Sequence, residues 1–206
     1  MHEILFQDDH LLVLDKPSGL LSVPGRGPEL QDCLSVRVQA AFPQALVVHR
    51  LDRDTSGVMV MALDPETQRA LNRQFAERTV EKCYVAVVAG SPMASEGLID
   101  LPMRKDFDQP PCQKIDLVAG RPARTRWRLV ERQGDRSRLE VRPLTGRSHQ
   151  IRLHLATIRH PILGDPLYAP PEACAMSRRL LLHATELSLT HPATNSRHTW
   201  SSKCPF

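Results

Sequence analysis

Residues 49–57 carry the densest run of side chains that could do chemistry. The segment reads His-Arg-Leu-Asp-Arg-Asp-Thr-Ser-Gly and lies between two apolar stretches. We therefore expect a polar loop at a strand end, where a rigid sheet often holds catalytic groups. Asp52 and Asp54 would be a carboxylate pair of the kind that hydrolyses glycosides. A surface turn, stiffened by Asp and Ser side chains that bond the backbone, explains the same spacing.

A second group of side chains could on paper hold a metal ion: His149, His154, His160, Asp165 and His183. His149 and His154 are five residues apart, and a helix turns roughly 140° beyond a full turn over that distance. The two rings would therefore not share a face, as the histidines of an i, i+4 zinc pair do. The spacing disfavours a metal hydrolase, and we expect no metal site.

Positive charge is concentrated in residues 121–152. This stretch has ten arginines, no lysine and three acids, a net charge of +7, whereas the whole chain has a formal net charge of +4. Such a basic patch is typical of nucleic-acid binding, and arginine suits phosphate and base contacts better than lysine. For each single arginine, an exposed face solubilised by charge is the alternative. Aromatic residues make up 4% of the chain, which argues against a protein that stacks many unpaired bases.

The hydrophobic pattern predicts runs of strands with a few helices between them. We expect a β-hairpin over residues 121–143 that turns at 133–135, helices over 30–42, 65–77 and 148–159, and a loop-rich stretch over 91–112. Asp64 followed by Pro65 matches a helix start. In the last helix the apolar stripe of Ile151, Leu155 and Ile158 leaves Arg152 off the apolar face. Strands in runs, without regular βαβ alternation, favour an α+β fold with a mixed or largely antiparallel sheet.

Cysteine usage and the N-terminus bear on the compartment. The five cysteines are far apart and odd in number, which fits no closed disulfide framework. We expect reduced thiols in a cytoplasmic protein. The N-terminus has no signal-peptide pattern, and no apolar run approaches the ~20 residues of a membrane helix. We expect no membrane contact and, since apolar runs that would be exposed are few, a monomer.

Six segments resemble, in order, the motifs of the RluA family of pseudouridine synthases: residues 12–20, 49–57, 82–86, 144–152, 160–165 and 181–184. The resemblance extends over nearly the whole chain. It implies one catalytic pseudouridine synthase domain over residues 1–206, without the N-terminal S4-like RNA-binding domain of many members. The implied fold is α+β, a curved mixed or antiparallel β-sheet with flanking helices and a central catalytic cleft.

The resemblance also implies roles for single residues. Asp52 matches the catalytic aspartate, which would act at C6 of uracil or at the sugar, and the sequence leaves both open. Arg152 matches the arginine that pairs with this aspartate, and Tyr84 the tyrosine that stacks on the flipped uracil. Five more residues are expected at the RNA: Arg50 in base flipping, Arg147 and His149 at a helix start that attracts phosphate, and Ile151 and Leu182 as pocket walls or simple core.

The implied reaction is the isomerisation of specific uridines in structured RNA, with no cofactor. The chain is most similar to the short type within this family, whose members act on a 23S rRNA hairpin and a tRNA anticodon arm, so we expect these RNAs as partners. Two alternatives from other classes stay open besides the metal hydrolase. A glycosidase would release a free base or sugar, and an RNA-binding module without catalysis would not need Asp52.

Overall fold

The structure is a computed structural model that describes residues 3–206, so the first two residues of the predicted domain lie outside it. The described strands are β1 (Glu3–Gln7), β2 (Leu11–Lys16), β3 (Leu46–Val47), β4 (Ser56–Ala62), β5 (Glu81–Ala89), β6 (Glu96–Asp100), β7 (Met103–Lys105), β8 (Gln113–Ile115), β9 (Arg124–Gln133), β10 (Arg136–Pro143), β11 (Leu182–Thr190) and β12 (Arg197–Ser201). The described α-helices are α1 (Leu34–Gln39), α2 (Pro65–Glu77), α3 (Gln150–Thr157) and α4 (Pro171–Ala175).

The described chain divides into two compact units. The first comprises residues 3–82 and 183–205, and the second comprises residues 83–182 with Phe206. Antiparallel strand pairs predominate in both, and β4 and β11 form a parallel pair. This is the predicted α+β fold with mixed strand pairing.

The first unit is built around β4. Its strands follow the order β1-β2-β4-β11, with β3 paired to β4 and β12 paired to β11. Every residue of β4 is buried, because its two faces belong to two different apolar clusters. Val58 and Val60 pack in one cluster, and Met59 and Met61 in the other. Burial on both faces explains why the sequence of this strand is continuously apolar rather than alternating.

Helix α2 confirms a local prediction. The Asp64 side chain accepts a hydrogen bond from the Thr67 N–H at 2.7 Å, and Pro65 is the first helical residue. At the other end, Arg78 adopts a left-handed backbone conformation (φ 63°) that stops the helix at Glu77. A side-chain cap, a proline at the first position and a left-handed residue after the last turn are standard helix boundaries.

The second unit contains the four-stranded order β5-β10-β9-β6 and a separate β7–β8 hairpin. The predicted long hairpin is β9–β10, which turns at Gly134 and Asp135. Along β9, Thr125 and Trp127 are buried, whereas Arg124, Arg126 and Arg128 are exposed. Helix α3 contributes Ile151 and Leu155 to the main apolar cluster of this unit. The alternation expected from the sequence is therefore confirmed.

One element prediction is wrong. A helix over residues 30–42 does not form as one piece, because the extended backbone of Cys33 bridges Leu21 and separates a short 3-10 turn from α1. Residues 91–112 are loop-rich as predicted, although they also contain the two short strands β6 and β7. β6 pairs with β9 and β7 with β8, so partner strands rather than local pattern specify both. No helix among the described residues is long and apolar enough to cross a membrane.

Candidate active site

The polar segment predicted to carry chemistry is the loop between β3 and β4 of the first unit. The Thr55 N–H donates to the Asp52 carbonyl at 3.2 Å, which closes a tight turn over residues 52–55. The Asp52 side chain is half-buried and Arg50 is exposed, whereas Leu51 and Thr55 on either side are buried. Buried neighbours on both sides fix the backbone that carries the carboxylate.

Lys16 secures this loop from a distant part of the sequence. Its side chain is fully buried, and its Nζ donates to the carbonyls of Pro17, Leu20 and Arg53 at 2.6 to 2.9 Å. A buried ammonium group is stable only when its donors find acceptors. Lys16 thus ties the segment after β2 to the residue that follows Asp52.

Two serines of the same early segment add further bonds. Ser22 Oγ donates to the Leu51 carbonyl at 2.7 Å and accepts from the Leu51 N–H at 3.1 Å, so one hydroxyl satisfies both backbone groups of the residue before Asp52. Ser18 Oγ donates to the Asp54 carbonyl at 2.7 Å. Residues 16–22 therefore form a clamp on the loop, which we call the early clamp.

His49 holds the start of the loop. Its Nε2 accepts the Val60 N–H at 3.0 Å, and its ring stacks on Phe75 with centroids 4.7 Å apart. Burial, with the nearby charge of Lys82 as a smaller cause, lowers the pKa of His49 to about 3. A neutral imidazole is required here, because a protonated Nε2 could not accept the Val60 N–H.

The end of the loop is fixed by a buried hydrogen-bond chain. Ser56 Oγ lies 2.8 Å from His183 Nδ1, His183 Nε2 lies 3.1 Å from Ser202 Oγ, and Ser202 Oγ donates to Asp15 at 2.6 Å. Gly57 follows with φ 114°, and a Cβ there would lie 2.1 Å from the Ala184 carbonyl oxygen. The Thr-Ser-Gly end of the motif is thus explained by close packing against β11.

In the second unit, three predicted pocket residues belong to the apolar core. Ile151 and Leu182 are members of the main buried cluster, and Tyr84 is half-buried against it. Tyr84 pairs with Val141, which pairs with Trp127, so their side chains share one face of the sheet. Core packing accounts for Ile151 and Leu182 in this structure, and their contact with substrate stays a prediction.

Arg152 lies off the apolar stripe of Ile151, Leu155 and Ile158 as expected, but it is buried rather than solvated. It is only 2% exposed. Its Nε and Nη2 donate to the two carboxylate oxygens of Asp165 at 2.8 and 2.6 Å, and its guanidinium lies 5.3 Å from the centre of the Tyr168 ring. The charge is buried because a bidentate partner and a ring face receive it.

Arg147 and His149 precede helix α3. The Arg147 N–H donates to Gln150 Oε1 at 3.1 Å, and its side chain reaches the Pro122 carbonyl at 3.3 Å. His149 has a left-handed backbone (φ 55°), and its Nδ1 lies 2.8 Å from the Tyr168 hydroxyl. Both residues are half-exposed, and their predicted contact with phosphate stays a prediction.

The predicted site residues are divided between the two units. Arg50 and Asp52 belong to the first, whereas Tyr84, Arg147, His149, Ile151, Arg152 and Leu182 belong to the second. The expected pairing of Asp52 with Arg152, and the central cleft, therefore stay predictions. Within residues 3–206, no three His, Cys, Asp or Glu side chains are grouped as a metal site would require.

Sequence reasoning missed three residues that position these groups: Lys16, Ser22 and Tyr168. The motif over residues 12–20 includes Lys16, but a lysine within an apolar strand gives no local indication that it is buried. Ser22 and Tyr168 lie outside the six family motifs. Tyr168 follows Asp165 by three residues, a spacing at which an Asp can bond the backbone ahead of it. That spacing is the one local signal that could have indicated Tyr168.

Comparison with known proteins gives one consistent result. The family described as RNA pseudouridylate synthase matches residues 10–157, a range that includes Asp52, Tyr84 and Arg152. The dual-specificity RNA pseudouridine synthase RluA of Escherichia coli strain K12 is 51% identical over 204 residues, covering 98% of this chain and 93% of that protein. The protein of the same name from Haemophilus influenzae is 45% identical over 205 residues, covering 99% and 94%.

Solved structures agree with the sequence matches. Human RNA pseudouridylate synthase domain containing 1 has a TM-score of 0.84 and 26% identity, covering 100% of this chain and 84% of that chain. Human RNA pseudouridylate synthase domain containing 4 has a TM-score of 0.77 and 27% identity, covering 98% and 88%. The fold and the sequence therefore point to the same group of proteins.

Proposed function

The chain belongs to the RNA pseudouridine synthase family, whose members are isomerases that act on RNA, and on this basis we propose that Asp52 is its catalytic carboxylate. The observation that carries the proposal is the Asp52 turn. A half-buried carboxylate stands on a loop whose neighbouring residues are bonded by the early clamp and by His49. Rigid support of this kind is what a reacting group needs.

The reaction breaks the N1–C1′ bond of a uridine, turns the uracil and joins C5 to C1′. The hydrogen leaves C5 as a proton and N1 takes up a proton, so the product is an isomer. Asp52 assists as an ionised carboxylate, either by adding to C6 of uracil or at the sugar. Tyr84 stacks on the displaced uracil, and Arg152 supplies the positive charge that pairs with the catalytic carboxylate.

RNA binding and base displacement fall to the remaining site residues. The uridine must leave its stack before C1′ can be reached, which costs a few kcal/mol. Arg50 is exposed beside Asp52 and fills the vacated space. Arg147 and His149 contact the phosphate backbone. Ile151 and Leu182 wall the uracil pocket.

The similar proteins of Escherichia coli and Haemophilus influenzae are named dual-specificity enzymes. By analogy, this chain acts on two RNAs, a 23S rRNA hairpin and a tRNA anticodon stem-loop. It works without metal or cofactor, as a monomer in the cytoplasm. Sedimentation of the purified protein over a range of concentrations tests the monomer.

The deciding experiment measures pseudouridine formation by the purified protein in EDTA. In-vitro transcribed tRNA and a 23S rRNA hairpin are incubated with wild type, Asp52→Asn and Asp54→Asn, and pseudouridine is mapped by carbodiimide labelling and primer extension. We expect modification at defined uridines by wild type and by Asp54→Asn, and none by Asp52→Asn. Free base in the supernatant would indicate a glycosidase, and binding without modification on both RNAs would indicate an RNA-binding module.

A further inference from the structure

The Tyr168 side chain contacts Arg152, Gln113 and His149 in the second unit, although no sequence motif includes it. Asp165, the carboxylate that binds Arg152, also accepts the N–H groups of Leu167 and Tyr168 through its Oδ1 at 2.9 and 3.3 Å. The side chain that neutralises Arg152 therefore also fixes the backbone of Tyr168. The Tyr168 ring in turn covers the guanidinium of Arg152 at 5.3 Å. Arg152 is thus held at its edge by a carboxylate and on its face by an aromatic ring.

The Tyr168 hydroxyl links two further elements. It accepts the Gln113 N–H, at the start of β8, at 2.8 Å, and it lies 2.8 Å from His149 Nδ1, just before α3. One oxygen thereby joins the β7–β8 hairpin to the residue that precedes the helix of Arg152.

The direction of the second bond depends on the tautomer of His149, and the available protons favour donation by the phenol. Burial raises the pKa of Tyr168 to about 12, so the phenol keeps its proton at neutral pH. The Gln113 N–H already donates to this oxygen. Among the described residues, the acceptor in reach of the phenol proton is His149 Nδ1. When the phenol donates to Nδ1, the neutral imidazole carries its own proton on Nε2.

We propose that Tyr168 is a positioning residue for the reaction: it orients Arg152 and holds His149 as the Nε2–H tautomer, and it ties both to the β7–β8 hairpin. This inference rests on the proposed function, because Arg152 and His149 are site residues in that proposal. It adds a residue that acts on the substrate only through others. It also gives His149 a defined role, that of a hydrogen-bond donor at Nε2.

A spectroscopic measurement tests the tautomer without reference to activity. The protein is labelled with ¹⁵N-histidine, and long-range ¹⁵N–¹H spectra are compared for wild type, Tyr168→Phe and His149→Gln, the last of which identifies the His149 signals. We expect an unprotonated Nδ1 and a protonated Nε2 in wild type, and a mixture of tautomers in Tyr168→Phe. A protonated Nδ1 in wild type, or the same tautomer in Tyr168→Phe, would overturn the proposal. The wild-type spectrum decides even if Tyr168→Phe does not fold.

A double-mutant cycle tests the consequence for catalysis. Single-turnover rates at saturating protein are measured for Tyr168→Phe, His149→Gln and the double variant on an RNA that wild type modifies. We expect the single-turnover rate of Tyr168→Phe to be about tenfold below that of wild type, as for the loss of one hydrogen bond. The rate of the double variant should lie within about twofold of that of His149→Gln, because the effects of coupled residues are not additive. Additive losses would contradict the coupling.

Two controls distinguish a specific effect of Tyr168 from a general effect on α3, and failure of this inference from failure of the proposed function. Thr157→Ala removes a hydrogen bond to the Leu153 carbonyl in the same helix and should keep the wild-type rate, whereas a tenfold loss there would show that any bond in α3 has this effect. If wild type forms no pseudouridine, the proposed function fails, and the same cycle is then measured in RNA affinity by gel shift. Additive losses of affinity would overturn the inference in that case as well.

Discussion

Among single residues, burial decides how much an ion pair contributes to stability. Two ion pairs of this chain have similar geometry, but one is buried and the other is exposed. Arg152 and Asp165 pair through Nε and Nη2 with 3% and 1% of their side chains exposed. Arg37 and Asp32 pair through the same nitrogens with 41% and 65% exposed. Breaking a buried pair leaves a desolvated charge, whereas water and salt already screen an exposed one.

We therefore predict that Asp165→Asn lowers the free energy of unfolding by about 3 kcal/mol. Asp32→Asn is the matched control and should leave the urea midpoint close to that of wild type. Urea unfolding of the three proteins, followed by circular dichroism, measures both effects. Equal shifts in the two variants would show that burial of the Arg152 pair is not what stabilises it.

His49 gives a prediction for the pH dependence of stability. In the unfolded chain a histidine takes up a proton below about pH 6.5, whereas folded His49 stays neutral down to about pH 3. The contribution of neutral His49 to stability is thus fully present above pH 6.5 and is lost as pH falls toward 3. Between pH 7 and pH 5 this loss lowers the free energy of unfolding by about 2 kcal/mol. His49→Gln retains an acceptor for the Val60 N–H and cannot titrate. Between pH 7 and pH 5, the free energy of unfolding of His49→Gln, measured in urea, should fall by about 2 kcal/mol less than that of wild type. Equal falls in the two proteins would contradict the prediction.

Among the elements, those of the first unit show two sequence motifs acting as one structure. The early clamp and the Asp52 loop are about 30 residues apart in the chain, yet Ser22 bonds both backbone groups of Leu51. The clamp therefore sets the backbone immediately before Asp52. A group that positions a catalytic residue should affect the rate more than the binding of substrate.

We accordingly predict that Ser22→Ala lowers kcat for pseudouridine formation by about tenfold, as expected for the loss of about 1.4 kcal/mol, with little change in KM. Ser188→Ala is the control, because Ser188 bonds Thr199 on an exposed part of the same unit, and it should keep wild-type kinetics. Rates are measured at saturating and limiting RNA. A rise in KM with unchanged kcat would show that the clamp serves RNA binding instead.

The elements also show how far the sequence predicts this fold. Helix α2 was predicted with its boundaries because Asp64 and Pro65 act within one turn, and the β9–β10 hairpin because its alternation and its turn are local. β6 was missed because its partner, β9, lies about 25 residues further along the chain. Lys16 was missed for the same reason, since its acceptor Arg53 is remote in sequence. The motifs predict Asp52 as the catalytic carboxylate, but they could not predict the residues that hold its loop.

Across the molecule, strand pairing brings acidic side chains next to arginines that the sequence alone would count as a basic patch. Several arginines of the stretch with a net charge of +7 pair with acids on the same or a neighbouring strand, and one of these acids, Glu140, is already counted in that charge. Arg124 pairs with Asp100 of β6, and Glu140 of β10 receives both Arg128 and Arg142. Trp127 and Tyr84 lie on one face of the sheet, and these arginines lie on the other. Three of the ten arginines in the predicted basic patch are therefore paired with acids and turned away from Tyr84.

The salt dependence of RNA binding follows from this arrangement. Removing one cation that binds a phosphate reduces the slope of log affinity against log salt concentration by about one. We predict that Arg147→Ala, beside His149, reduces this slope by about one for a stem-loop substrate. Arg126→Ala removes an exposed charge from the face of β9 that points away from Trp127. This variant should keep the wild-type slope and bind RNA with an affinity within about twofold of wild type. Filter binding at several salt concentrations measures both. A reduced slope for Arg126→Ala would mean that the RNA also reaches the outer face of β9, and the two-sided contact would then require the substrate to wrap around the edge of the sheet.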